Sequence, residues 1–176
     1  MRRRALPWLL AALVLGLSSP APAMVLQRFT LHDLVARSAA VVRGTVQAAD
    51  ARWDADGQHI HTYWKLAVTE PVYGAERGQV VTVITLGGTV GDVRQTVPGN
   101  VHLSVGDDVF VFLVRNGDAF SIAGVSQGKR AVVADPDGGS PRLVPDAAAA
   151  GSGVQDAPRL DDLIDQVRTL RKEVTR

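Results

Sequence analysis

From residue 40 to residue 134 the chain is a succession of short apolar or alternating stretches separated by turn residues. That rhythm constrains the fold more than any other feature. A period of two buries one face of a strand and cannot serve a helix. In AVVRGTVQAA, Val42, Gly44, Val46 and Ala48 are expected to share a face. Residues 53–58 read as a turn, with Asp56-Gly57 as the hairpin signal. The long stretch HIHTYWKLAVTEPVY places Ile60, Thr62, Trp64, Leu66 and Val68 on one face, and His59, His61, Tyr63, Lys65 and Thr69 on the other. After a break at residues 74–78, VVTVITL is a third strand rich in β-branched residues. DVFVFLV, residues 108–114, is almost wholly apolar and reads as a central strand. Asn116-Gly117 marks the next hairpin turn, and residues 119–123 and 130–134 are the last strands.

Two segments follow the helical period instead. Residues 31–39 carry apolar side chains at 31, 34, 35 and 39, with Thr30 as N-cap, enough for one or two turns. Residues 159–174 are amphipathic, with Leu160, Leu163, Ile164, Val167, Leu170 and Val174 in one stripe. Asp161, Asp162 and Asp165 come early, and Arg168, Arg171 and Lys172 late, an order that suits the helix dipole. Such a helix either docks on the strands or pairs with another chain. Between the last strand and this helix, residues 135–158 turn to Pro, Gly, Ala, Asp and Ser and read as a flexible linker. The expected fold class is all-β: a small OB-like barrel of five or six strands, with a β-sandwich as the alternative. A short N-terminal helix and an amphipathic C-terminal helix complete it.

The first residues, MRRRALPWLLAALVLGLSSPAPA, have a positive start, a short apolar core and a small-x-small end at Ala21-Pro22-Ala23. They are expected to be a secretory signal, residues 1–23; an uncleaved anchor is the alternative. The apolar run falls short of the ~20 residues that span a bilayer, so no transmembrane segment is expected after cleavage. Beyond the signal lie a barrel domain at 24–134, the linker at 135–158 and the helix at 159–176. The chain is expected to act in the periplasm or the medium. Setting aside the three signal arginines leaves 16 basic against 18 acidic residues, a charge of −2 with histidines neutral. That balance lacks the basic footprint of a nucleic-acid binder. The chain has no cysteine, which removes disulfide staples and thiolate chemistry alike.

Val42-x-Gly44-x-Val46, Thr62 to Val68-x-Glu70 to Gly74, Gly87-Gly88, Gly106-x-x-Val109-x-x-Phe112-Leu113 and Gln127-Gly128-Lys129 form an ordered pattern over about residues 31–133. In this the chain resembles a group of uncharacterised exported bacterial proteins, common in myxobacteria and related lineages. The resemblance implies export and no activity. The strand rhythm is also similar to the netrin-like barrel of the tissue metalloproteinase inhibitors. Those inhibitors act through an N-terminal Cys and disulfides, which this chain lacks. The resemblance therefore implies an OB-like fold and does not extend to protease inhibition.

Gly124-Val125-Ser126-Gln127-Gly128 matches G-x-S-x-G, the nucleophile-elbow pattern. That elbow needs a strand before it, a helix after it and a later His. Here β patterns lie on both sides and the last histidine is His102. The glycines are expected to shape a tight strand connection. His59 and His61, two apart on a strand face, could share a metal with Asp54 or Asp56, but a solvated face reads better. Residues 54–57 and 135–139 resemble the starts of calcium loops without the distal Glu. The irregular stretch 87–106 is long for a compact domain, a trait of functional loops. With Arg94, Gln127 and Lys129 it forms the expected binding surface; no catalytic, metal or cofactor residue is assigned. The leading reading is an exported non-enzymatic binding or interaction module for an envelope or secreted protein or another ligand. The alternatives are a hydrolase, through Ser126 or through His59 and His61, and an accessory domain of a secreted protease system.

Overall fold

A computed structural model describes residues 28–135, 137–145 and 156–175. The expected signal at 1–23 and residues 146–155 of the expected linker lie outside the described residues. Helix α1, Leu31–Arg37, opens with the capping box that Thr30 supplies. The Asp33 N–H donates to Thr30 Oγ1 at 3.1 Å, and the Thr30 N–H donates to Asp33 Oδ2 at 2.9 Å. The strands follow as β1 Ala40–Trp53, β2 Ile60–Tyr73, β3 Val80–Leu86, β4 Gly88–Val90, β5 Val93–Gln95, β6 Asp108–Asn116, β7 Ala119–Ile122, β8 Lys129–Val133 and β9 Arg142–Val144. Helix α2, Leu160–Val174, comes last.

The sheet closes on itself in the order β1-β2-β3-β7-β6 and back to β1. Every join is antiparallel except β3 to β7, a parallel contact at Val83↔Phe120. The structure is thus an all-β barrel with a helix at each end of the chain. Strand β8 pairs with β6 on the same edge as β7, along the stretch from Val109 to Val111 that β7 does not reach, and β9 adds to β8.

The core has two layers that share β6. Val109, Val111 and Leu113 point into the barrel against Val42, Val46, Leu66 and Val83. Phe110 and Phe112 point outward beneath α1 and α2, against Leu34, Val35, Leu160, Ile164 and Val167. Their rings meet edge to face at 5.6 Å, a geometry worth ~0.5–1.5 kcal/mol beyond the area it buries. A strand buried on both faces has no polar positions to alternate, which is why DVFVFLV is continuous. The stripe on α2 is spent on this layer, so the helix docks on its own barrel. Tyr73 helps seat the helices: its hydroxyl donates to the Val35 carbonyl at 3.2 Å, and the Arg171 guanidinium lies 4.7 Å from its ring centre.

Two expectations need correction. Ala48 does not share a face with Val42 and Val46. A bulge between Val46 and Ala48 shifts the register against β2, so Ala49 and Ala51 oppose Trp64 and Thr62 instead. Residues 135–158 are not one linker. Arg142–Val144 pairs with β8, the Leu143 N–H donates to the Pro158 carbonyl at 2.9 Å, and the Leu160 N–H donates to the Pro141 carbonyl at 2.8 Å. Composition hid this strand because β9 is short and flanked by Pro and Gly. The side chain of Asp135, expected to begin the linker, is fully enclosed. Its Oδ1 accepts from Arg142 Nε at 3.0 Å, and Arg159 Nη2 lies 3.4 Å from Oδ2. The Arg142 hydrogen bond, helped by the Asp137 N–H and both guanidinium charges, holds the Asp135 carboxyl below its ordinary value against the opposing effect of burial. The cations that a calcium-loop reading would seek are already present as arginines.

Candidate functional site

The β1–β2 hairpin is longer than the barrel needs. From Gln47 onward β1 pairs with β2 alone among the described strands, while β6 stops opposite Thr45. The excess length leaves the barrel open at this end, and residues 87–106 fold over it. Their start is pinned to β2: the Gly87 N–H donates to the Ile60 carbonyl at 2.6 Å, and Thr62 Oγ1 donates to the Gly87 carbonyl at 2.7 Å. Gly88 then passes so close to β2 that a Cβ there would sit 2.4 Å from Thr62 Oγ1, with φ at +145°. Only glycine allows that approach without moving backbone. The short β4–β5 hairpin follows, and Gln95 returns to β2 by accepting from the Ile60 N–H at 2.6 Å. Asn100 closes the loop by donating to the Leu86 carbonyl. Strand β5 occupies Val93–Gln95 within this stretch, with β4 as its partner.

Between this loop and the hairpin lies a cleft of about 480 Å³. Its floor is Trp64, whose Nε1–H donates to Thr85 Oγ1 at 2.9 Å. Leu103 stands beside it, and both side chains also face the barrel interior. Ala49 and Ala51 form one low wall; Thr96, Asn100 and Val101 form the other. Arg94 on β5 is exposed at the rim. The cleft therefore offers an aromatic floor, hydroxyl and amide groups on its sides and one cation at its edge. That mixture suits a ligand with both apolar and hydrogen-bonding surface.

The expected binding surface of Arg94, Gln127 and Lys129 does not hold together. Arg94 is at the cleft. Lys129 is buried: its ammonium donates to the His102 carbonyl and lies 3.9 Å from Asp107 Oδ2, on a second depression of about 530 Å³. Gln127 belongs to neither cleft. Its Oε1 accepts from the Phe29 N–H at 2.9 Å, beside the entrance to α1. Residues 87–106, which border this cleft, were legible as a candidate site from their length and glycines. Trp64 was missed, because a tryptophan on the inward face of a strand reads as core.

The G-x-S-x-G stretch is a detour within one strand edge. The Ala123 N–H donates to the Phe112 carbonyl and the Phe112 N–H donates to the Gly128 carbonyl, both at 2.8 Å, so β7 and β8 continue one another along β6. Gly124, at φ +61°, leaves room for the Phe29 ring, which a Cβ would approach to 2.8 Å. Val125 also takes positive φ, at 60°. Strand β8 follows the motif, where a nucleophile elbow requires a helix.

His59 and His61 part company as well. His59 sits in the hairpin loop with Nδ1 3.2 Å from Asp54 Oδ2, and Asp54 Oδ1 also accepts from the Gln58 N–H at 2.8 Å. His61 lies opposite Arg52 and Leu86. The Asp54 carboxyl is held below its ordinary value by its hydrogen bonds to the His59 and Gln58 end of this loop. Asp54 thus closes a hairpin. Among the described residues no three or more His, Asp or Glu side chains gather as a metal site would require. Nor, among them, is any helix long and apolar enough to cross a membrane.

The chain matches no known protein-family model and no curated protein sequence.

Proposed function

We propose that this chain is an exported, OB-like binding module that takes its ligand in the cleft between Trp64 and residues 87–106, without catalysing a reaction on it. The observation that carries the reading is the cleft itself. A barrel end is kept open by an overlong hairpin and spanned by a loop tied down at Gly87, Gln95 and Asn100. A pinned loop costs little further ordering when a ligand arrives, which favours affinity. The OB-like reading is supported by the ring order, in which the third strand meets the last ring strand in parallel and all other joins are antiparallel. Export is supported by the sequence of residues 1–23.

Amide and indole chemical shifts, followed against a panel of short peptides and oligosaccharides, test the site. Shifts should cluster at Trp64, Thr85, Arg94 and Asn100, and Thr96→Trp, which fills the cleft from its rim, should abolish them. Shifts that cluster elsewhere and survive Thr96→Trp would remove the cleft from the proposal. The absence of catalysis has its own probe. A fluorophosphonate should leave the chain unlabelled; labelling that disappears in Ser126→Ala would replace the binding reading with a hydrolase.

A further inference from the structure

Beyond Val46, which exchanges backbone hydrogen bonds with Gly106 and Asp107, one edge of β1 is free of pairing among the described residues. From Gln47 to Trp53 its partner among the described strands is β2 alone. Gln47, Ala48, Ala49 and Asp50 are all exposed, even Ala49, whose side chain faces the cleft. Such an edge presents N–H and C=O groups to solvent on alternate residues, a template that another extended backbone can match group for group. The stretch QAADARW carries no Pro or Lys to block pairing, and its two charges, Asp50 and Arg52, are of opposite sign, so an edge with the complementary order can satisfy them.

The side chains on this edge favour one occupant. Asp50 and Arg52 share the outward face, their charged groups 3.7 Å apart, and the Arg52 guanidinium is stacked 3.8 Å from the centre of the Tyr63 ring. Trp53 is 39% exposed, an unusual state for an indole at a strand end. We propose that the edge pairs with the same edge of a second copy, β1 to β1 and antiparallel, about a two-fold axis at Ala51. That register sets Asp50 against Arg52 of the partner subunit, and the converse, in two cross-strand ion pairs. It also lays Trp53 over Ala49 of the partner subunit. A two-fold axis preserves the face of each residue, and the nearest slips of register move the centre to Asp50 or to Arg52. Either slip opposes like charges at the axis. The sequence thus selects one pairing and penalises its neighbours. The two barrels join through a continuous sheet, and the partner's Trp53 reaches the wall of each cleft. The pairing is independent of what the cleft binds.

Sedimentation velocity of the purified chain over a range of concentrations reads the pairing. The wild type should pass from one to two chain masses as concentration rises. Asp50→Arg and Arg52→Asp each turn both ion pairs into repulsions and should weaken association by at least about tenfold. The double variant Asp50→Arg/Arg52→Asp should associate again. An equimolar mixture of the two single variants should form a heterodimer, since one chain then carries both cations and the other both anions. A wild type that stays monomeric throughout, or a dimer that both single variants retain, overturns the proposal. Circular dichroism checks that each variant is folded. If a single variant is not, amide exchange in the wild type decides: alternate amides within 47–53 should be protected at high concentration and exposed on dilution, and unchanged exchange overturns the pairing.

Discussion

The two halves of β1 live under different rules. Ala40, Val41 and Val42 are fully buried, with β2 on one edge, β6 on the other and apolar layers on both faces. From Gln47 the same strand has one edge unpaired among the described residues and most of its residues in solvent. The bulge after Val46 divides them. The first half holds the barrel shut, and the second holds it open. One continuous hairpin can therefore supply rigidity and an open mouth together.

The largest break in this comparison should come from the closed half. Phe112→Ala removes a ring shared by β6 and both helices, and should cost ~3–5 kcal/mol in urea unfolding. A loss below ~1 kcal/mol would mean that the helix layer is not part of the cooperative unit. Gly88→Ala acts on the open half. The new Cβ meets Thr62 Oγ1 on strained backbone and should cost ~1–3 kcal/mol. Amide exchange should quicken across residues 87–100 while Val109 to Leu113 keep their protection. Equal loosening of both regions would show that the mouth and the barrel unfold as one.

The smallest effect is confined to acid. The Asp135 carboxyl is held below its unfolded value of ~3.9, so its contribution is fully present above that pH. It is lost as pH falls through the unfolded and then the folded value, when the unfolded chain takes up the proton more readily. Asp135→Asn should therefore lower the melting temperature at neutral pH and flatten its decline below pH ~4. An unchanged acid limb would mean that Arg142 and Arg159 do not hold the clamp in solution.

The faces of β2 could be read directly from the chain, since Ile60, Thr62, Leu66 and Val68 are buried as their alternation predicts. The face of β1 could be read only as far as Val46. A bulge inserts one residue, and nothing in AVVRGTVQAA announces it. Residues 87–106 stood out as a candidate site by length and glycine content. Their partner across the cleft, Trp64, did not, because an inward tryptophan looks the same whether it is sealed or forms the floor of an opening. Gln127 was grouped with Arg94 on an expected barrel arrangement, yet its side-chain carbonyl is committed to the Phe29 N–H.

By itself the sequence determined what is local: strand periods, the Asp-Gly and Asn-Gly turns, the Thr30 cap, the stripe on α2 and the continuous apolar run of β6. Those properties depend on neighbours within a few residues, and side-chain period and backbone preference encode them. The tertiary structure alone decided the closure of β6 on β1, the parallel touch of β3 and β7, the free edge beyond Gln47 and the separation of Arg94, Gln127 and Lys129. Each of these depends on register between segments far apart in the chain. A register is settled by packing and hydrogen bonding across the whole barrel, which no local pattern contains.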